Sequence, residues 1–398
     1  MDIASLIDLD PVLELLMLGA ALALVPTGVV AWRARKQGVR GWRAWQRVLT
    51  VATLFLTLDL VVFGAFTRLT DSGLGCPDWP GCYGATTPWG ARAEINEAQA
   101  ARPTGPVTHH KAWIEMGHRY LATAVGALIT LLMVAAWRAR RQPGALSPWW
   151  PTATFVWVCV QGAFGALTVT MKLQPIIVTL HLLGALLGVG LLTAQVRSLS
   201  EPGSLYERAV IKAWQGAGWR RAGVIVLALV AIQVALGGWV SSNYAVLACP
   251  DFPTCQGQWW PDMDARTAFT LWRPLGQDGQ GGWIALPALT AIHMAHRGMA
   301  VVVLLALLAY GVALVRHTAW QREGRGLLML AAWQLLTGLS NVVFSWPLLS
   351  ALAHTLGAAL LVWWLVRLLV TPDWATTTAS SLQGYKGLHA TSRLQRAP

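Results

Sequence analysis

The chain alternates long apolar runs with short polar segments. Nine runs approach or exceed the roughly 20 residues a helix needs to cross a hydrocarbon core. They lie near Pro11–Trp32, Val48–Thr67, Trp113–Trp137, Trp149–Val169, Ile177–Val196, Ala222–Ser242, Leu289–Val315, Leu327–Ser345 and Leu349–Val370. A helix of about 22 residues rises about 33 Å. The expected fold class is an all-α polytopic membrane protein with nine spans. Two long polar loops, about residues 68–112 and 243–288, interrupt the pattern.

Composition agrees with this reading. Of 398 residues, 55% are hydrophobic and 12% charged, about half the charged share of a soluble domain. The net charge of +12 raises nucleic acid as a partner, but no nucleic-acid motif is present. Most basic residues sit beside spans: Arg33, Arg35, Lys36, Arg40, Arg43 and Arg47; Arg138, Arg140 and Arg141; Arg197, Arg208, Lys212, Arg220 and Arg221; Arg316, Arg322 and Arg325. These clusters fall in alternate loops, which the positive-inside rule makes cytoplasmic. The N-terminus and both long loops are then outside. The polar tail from Thr371, with Lys386, Arg393 and Arg396, is inside and expected to be disordered. Many of the 23 tryptophans flank span ends, as anchors in the bilayer interface do. The acidic start MDIASLIDLD lacks the basic region of a signal peptide, so the first span is expected to be retained.

The two long loops open on matching stretches, GAFTRLTDSGLGCPDWPGC from Gly64 and GGWVSSNYAVLACPDFPTC from Gly237. They share C-P-D-aromatic-P-x-C at an offset of 173. A helix with histidine and arginine follows each, E-M-G-H-R at Glu115–Arg119 and H-M-A-H-R at His293–Arg297. H-x-L-G-A recurs at His181 and His354, again offset by 173. This predicts two parallel four-helix repeats about an axis along the membrane normal, plus one extra N-terminal helix. The expected divisions are 1–47 (extra helix and basic loop), 48–197 (first repeat), 198–221 (linker), 222–370 (second repeat) and 371–398 (tail).

Cys76 with Cys82 and Cys249 with Cys255 are equally spaced pairs in outside loops, which favours a disulfide in each. Zinc held by the two loops together, or a redox role, are the other readings. Cys159 reads as a packing residue within its span. Small residues at Gly162 and Gly165, Gly184 and Gly188, and Gly357 and Ala358 suit close helix packing. Gly184 and Gly357 lie three residues after a histidine, so each is expected to clear space beside an imidazole.

Four of nine histidines, His118, His181, His296 and His354, occupy matching places near the outer ends of spans. Ionisable groups within spans point to function, and imidazole is a common axial ligand of haem iron. One bis-histidine porphyrin site per half follows, His118 with His181 and His296 with His354. Arg68, Arg119 and Arg297 are candidates for pairing with haem propionates, or are interfacial arginines. Glu115 shares a helix face with His118, and His293 takes its place in the second half. A carboxylate there can move protons or stabilise developing positive charge; a structural pairing with Lys111 or Arg119 is the alternative. Asp59, inside the second span, costs about 2.5–3.5 kcal/mol to insert and is expected to have a partner. His109, His110 and His317 read as solvated.

The run T-R-L-T-D-S-G at Thr67–Gly73, the E-M-G-H-R motif, the first cysteine pair and the paired histidines resemble the haem A synthase family over about residues 48–370. The resemblance implies a membrane oxidoreductase that converts haem O to haem A. It oxidises a ring methyl to a formyl group by successive hydroxylations with oxygen from water. It implies Glu115 as the essential glutamate, His118 and His181 at the substrate haem, and His296 and His354 on a haem b cofactor. Implied partners are an external electron acceptor, haem O synthase and the cytochrome oxidase assembly machinery; a homo-oligomer is compatible. The implied location is a bacterial inner membrane. A di-haem electron-transfer cytochrome and a haem carrier are the competing readings of the same histidines. The second cysteine pair and the additional first span are features that not every member of the family has.

Overall fold

The computed structural model describes residues 10–36, 38, 41–142, 145–200 and 218–370. The expectations for the first nine residues, Arg40, Arg208, Lys212 and the tail with Lys386, Arg393 and Arg396 lie outside the described residues. Among the described residues all regular structure is helical, and nine helices are long and apolar enough to cross a membrane. They are α1 (Asp10–Lys36), α2 (Trp42–Leu69), α4 (His109–Ala139), α5 (Trp149–Thr170), α6 (Pro175–Ser198), α7 (Gly218–Ser242), α9 (Leu286–Arg316), α10 (Gln321–Val343) and α11 (Leu348–Leu369). The outer loops add α3 (Arg92–Ala101) and the single turn α8 (Ala265–Ala268).

Each long helix coincides with one apolar run, but several extend past it. Helices α2 and α10 each begin six residues before the expected start. Hydropathy reports the hydrocarbon slab, whereas the intrahelical hydrogen-bond ladder continues into the polar interface. Helix α4 starts at His109 because Thr108 caps it, accepting the Lys111 N–H at 3.3 Å. Helix α10 stops at Val343, short of the expected Ser345, where Ser345 and Trp346 turn left-handed with φ of 55° and 66°.

Helices α2, α4, α5 and α6 pack in a closed ring, and α7, α9, α10 and α11 close a second. The rings meet through α6 with α7 and through α11 with α2 and α6. Leu186, Val189 and Leu192 of α6 form the shared core there with Val226 and Val230 of α7 and Leu361 and Leu365 of α11. Helix α1 stands outside both rings, against α4 and α2. Three hydrogen bonds between the rings join residues 173 apart. The Arg68 guanidinium donates to the Ser241 carbonyl at 2.5 Å and the Tyr244 hydroxyl to Asp71 at 2.5 Å, both at one end of the bundle. Arg197 donates to the Val370 carbonyl at 3.5 Å at the other end.

Three expectations are corrected here. Cys159 is exposed on the outer face of α5 and does not pack internally. Asp59 shares an exposed stripe of α2 with Val51 and Phe55. At that spacing its carboxylate faces away from the bundle, and no hydrogen bond or ion pair joins it to the described residues. His317 is partly buried, stacked on Trp320 at 4.9 Å and edge-on to Trp219 at 6.4 Å. The adjoining tryptophans remove it from solvent. His109 also has a partner, Asn96, at 2.7 Å, while His110 is exposed as expected.

Packing between α10 and α11 depends on Gly326, where an added Cβ would collide with the Trp364 ring. Trp364 cannot easily move, because its indole N–H donates to the Glu323 carbonyl at 3.0 Å. Gly326→Val should therefore cost about 1–3 kcal/mol through overpacking, read as a lower melting temperature of the detergent-purified protein.

Candidate functional site

The C-P-D-aromatic-P-x-C stretches fold alike. Each forms a disulfide, Cys76–Cys82 and Cys249–Cys255, with Cα–Cα distances of 4.8 and 4.6 Å. All four sulfurs belong to buried residues. The aspartate of the motif holds the turn that follows. Asp78 accepts the N–H groups of Tyr83 (2.6 Å) and Gly84 (2.8 Å), and Asp251 those of Gln256 (2.6 Å) and Gly257 (3.0 Å). Both turns need left-handed backbone, with φ of 50° and 74° in the first and 55° and 75° in the second. Glycine takes the second such position each time. The Thr254 hydroxyl, followed by those backbone donors, holds the Asp251 carboxyl below the usual carboxylate range. This anchor is present at neutral pH and is lost only as pH falls through that lowered value.

One arginine clamps each loop to its helix. Arg119 donates from Nη1 to the carbonyls of Asp78 (2.9 Å), Pro80 (3.1 Å) and Gly81 (2.5 Å), and from Nη2 to that of Cys76 (3.4 Å). Arg297 donates to the carbonyls of Thr254 (2.9 Å) and Cys249 (3.0 Å). Arg68 donates to Asp71 and Ser241 and stacks on Tyr244, 4.1 Å from its ring centre. These are the three arginines expected to pair with haem propionates. Protein acceptors engage all three.

Glu115 is buried beneath the first clamp. One carboxylate oxygen accepts from Arg119, and the other accepts the Cys76 N–H at 2.7 Å. Gly75 permits this approach, since a Cβ there would lie 2.5 Å from the Lys111 backbone. The pairing with Arg119 is therefore real, and Lys111 turns instead to the Gly105 carbonyl. In the second half His293 occupies the equivalent place, accepting from Arg297 Nε at 3.2 Å.

His118 and His296 lie one helical turn from Glu115 and His293 on α4 and α9. His118 of α4 and His181 of α6 belong to the first ring of helices, and His296 of α9 and His354 of α11 to the second. All four are crowded by protein yet keep some accessible ring surface. Glycines border each ring. A Cβ at Gly64 or Gly165 would lie 3.0 Å from His118 or 3.6 Å from His181; at Gly237 or Gly338 it would lie 3.1 Å from His296 or 3.4 Å from His354. These glycines obey the 173 offset. Gly184 and Gly357 have a different task from the one expected. They make room for Gln161 and Gln334, whose amides donate to the carbonyls of His181 (3.1 Å) and His354 (3.0 Å). The offset also relates Gln161 to Gln334, so aligning the halves residue by residue is the signal that finds both glutamines and all four bordering glycines.

No cluster of three or more His, Cys, Asp or Glu side chains could hold a metal ion among the described residues. The paired imidazoles suit a group that brings its own equatorial ligands, as a porphyrin does. The glycine-lined rings and the buried His181 Nδ1, which has no hydrogen-bond partner, fit that group.

Fold and site define an integral membrane protein with two histidine pairs and two disulfide loops. Residues 47–366 match the family described as cytochrome oxidase assembly protein, and the chain belongs to that family. The match begins after α1. A haem A synthase of Shewanella oneidensis is 37% identical over 325 residues, 79% of this chain and 93% of its own length. Haem A synthases of Shouchella clausii (30%, covering 54% and 65%) and Methylobacterium radiotolerans (26%, covering 78% and 84%) are also similar.

Asp78→Ala should loosen the first loop by about 1–2 kcal/mol, the scale of a lost backbone cap. The expected result is faster reduction of Cys76–Cys82 by dithiothreitol, followed by mass-tagging of the freed thiols. Unchanged kinetics would remove the anchor role from Asp78.

Proposed function

We propose that the protein is a haem A synthase, taking haem O as substrate in the first four-helix unit (48–197) and holding haem b in the second (222–370). The carrying observation is an asymmetry. Two histidine pairs share one surrounding architecture, yet only the first has a buried carboxylate one turn away, at Glu115. The relatives named haem A synthase support the assignment. Positive-inside loops support an outside N-terminus and a cytoplasmic C-terminus.

His118 and His181 would bind the substrate iron, leaving no axial position for oxygen. The substrate methyl then becomes a formyl group by losing electrons and protons while water supplies the oxygen. Each of the two hydroxylations releases two electrons and two protons, and the resulting geminal diol loses water. A bound haem b, held by His296 and His354, supplies a one-electron relay toward an external acceptor. Glu115 stabilises positive charge at the substrate edge and accepts a proton there. Arg119 and the Cys76 N–H keep its carboxylate in one orientation, so the disulfide loop sets where that charge is stabilised. His293 gives the second half no such carboxylate, which suits an electron-transfer site.

Co-expression with a haem O source, followed by extraction and mass analysis, tests this reading. The wild type should yield the formyl product. Glu115→Gln should fold and keep its haem while losing turnover by at least about 100-fold, within the usual range for an acid–base group. Full activity in that variant would sink the role. Unmodified haem from the wild type would favour the electron relay, and stoichiometric haem transfer without chemistry would favour the carrier.

A further inference from the structure

The two histidine pairs differ in what touches their rings. In the second half, α10 brings the Thr337 hydroxyl to 3.0 Å from His354 Nδ1. That hydroxyl has one proton, and it donates at 2.7 Å to the Trp333 carbonyl. Toward His354 it therefore accepts, which places the imidazole proton on Nδ1 and leaves Nε2 with a free lone pair. On α7, the Gln233 amide nitrogen donates to the His296 backbone carbonyl at 3.3 Å and lies 3.1 Å from Nδ1 and 3.4 Å from Nε2 of the same ring, which it meets as a donor.

The first half lacks both groups. At the 173 offset, Phe164 stands for Thr337 and Leu60 for Gln233. His181 Nδ1 is buried without a partner. The His118 ring makes no hydrogen bond with the described residues; its neighbours are Gly64 and the Phe63 ring, 6.1 Å away edge-on.

We propose that Thr337 is a positioning residue that makes the second pair a retained, electron-rich haem site, while Phe164 leaves the first pair unanchored so that its haem exchanges. This rests on the haem-ligand reading above. An acceptor on Nδ1–H fixes the ring and raises the basicity of Nε2, and losing such a partner typically costs 10–100-fold in metal affinity. Added basicity also stabilises the oxidised iron and lowers the reduction potential. A substrate site has the opposite need, because a ligand that releases its ring must not be held by it.

The test uses the full-length protein purified with bound haem and transfer of that haem to apomyoglobin. The wild type should show a fast and a slow phase. Thr337→Val should accelerate the slow phase about tenfold and raise the reduction potential of that haem, and Thr337→Ser should restore both. Phe164→Thr should slow the fast phase, and it carries the test if Thr337→Val fails to fold. Haem-loaded Thr337→Val with unchanged slow phase and potential would overturn the inference while leaving the ligand assignment intact. A wild type that binds no haem would instead overturn the ligand assignment, and this inference with it.

Discussion

Hydrocarbon offers no hydrogen bonds, and this constraint governs every polar atom in the nine long helices. Most comply locally. Along α2, the hydroxyls of Thr50, Thr53, Thr57 and Thr67 each return to the carbonyl four residues back. Thr179 and Thr193 do the same on α6. Gln195 joins the two helices by donating to Thr50 at 3.2 Å within the core. Ten buried side-chain atoms among the described residues have no partner, Gln46 Oε1 and Gln195 Oε1 of these two helices included. His181 Nδ1 is one of them, and it lies in the site the histidine pattern already marked.

The same constraint explains what could be read from sequence. A span must be long and apolar to exist at all, so all nine were legible, and the offset of 173 made the duplication legible too. Helix ends were not. Trp42–Arg47 and Gln321–Gly326 are too polar to count as span but remain helical because interfacial water tolerates either state. The chemistry of single side chains was legible only in part. His118, His181, His296 and His354 stood out by their matching positions, but Arg119 and Arg297 did not show their direction. A guanidinium beside a ligand histidine can point at a porphyrin edge or at a loop. Only the fold shows that carbonyls of both C-P-D loops converge on it. Asp78 and Asp251 were visible in the motif, yet their task depends on a left-handed turn five and six residues later, which spacing alone does not disclose.

Glu115 and Arg119 explain why the loop and the histidine turn form one unit. These residues are four apart on α4, so their side chains share a face. Arg119 collects the loop, Glu115 takes the Cys76 N–H, and His118 lies between them in sequence on the same turn. A shift of the disulfide loop would therefore move the carboxylate relative to the imidazole. In the second half the clamp persists through Arg297, but its helix partner is His293. The clamp is common to both halves, and the carboxylate belongs to one.

Duplication supplies a control within one molecule. Where the halves agree, as in the disulfides, the clamps, the glycines beside the rings and Gln161 with Gln334, the shared requirement is to set two imidazoles within each helix ring. Where they differ, the shared requirement cannot be the cause. Glu115 against His293, Leu60 against Gln233 and Phe164 against Thr337 all lie within a turn or a side chain's reach of a ligand candidate. The first half combines a charged group near the ring edge with apolar neighbours at the imidazoles; the second reverses both. Charge beside the ring edge acts on the bound group's chemistry, whereas a hydrogen bond on Nδ1 acts on how firmly the group is held. On the proposed reading, the first half is arranged for reaction and release, and the second for retention.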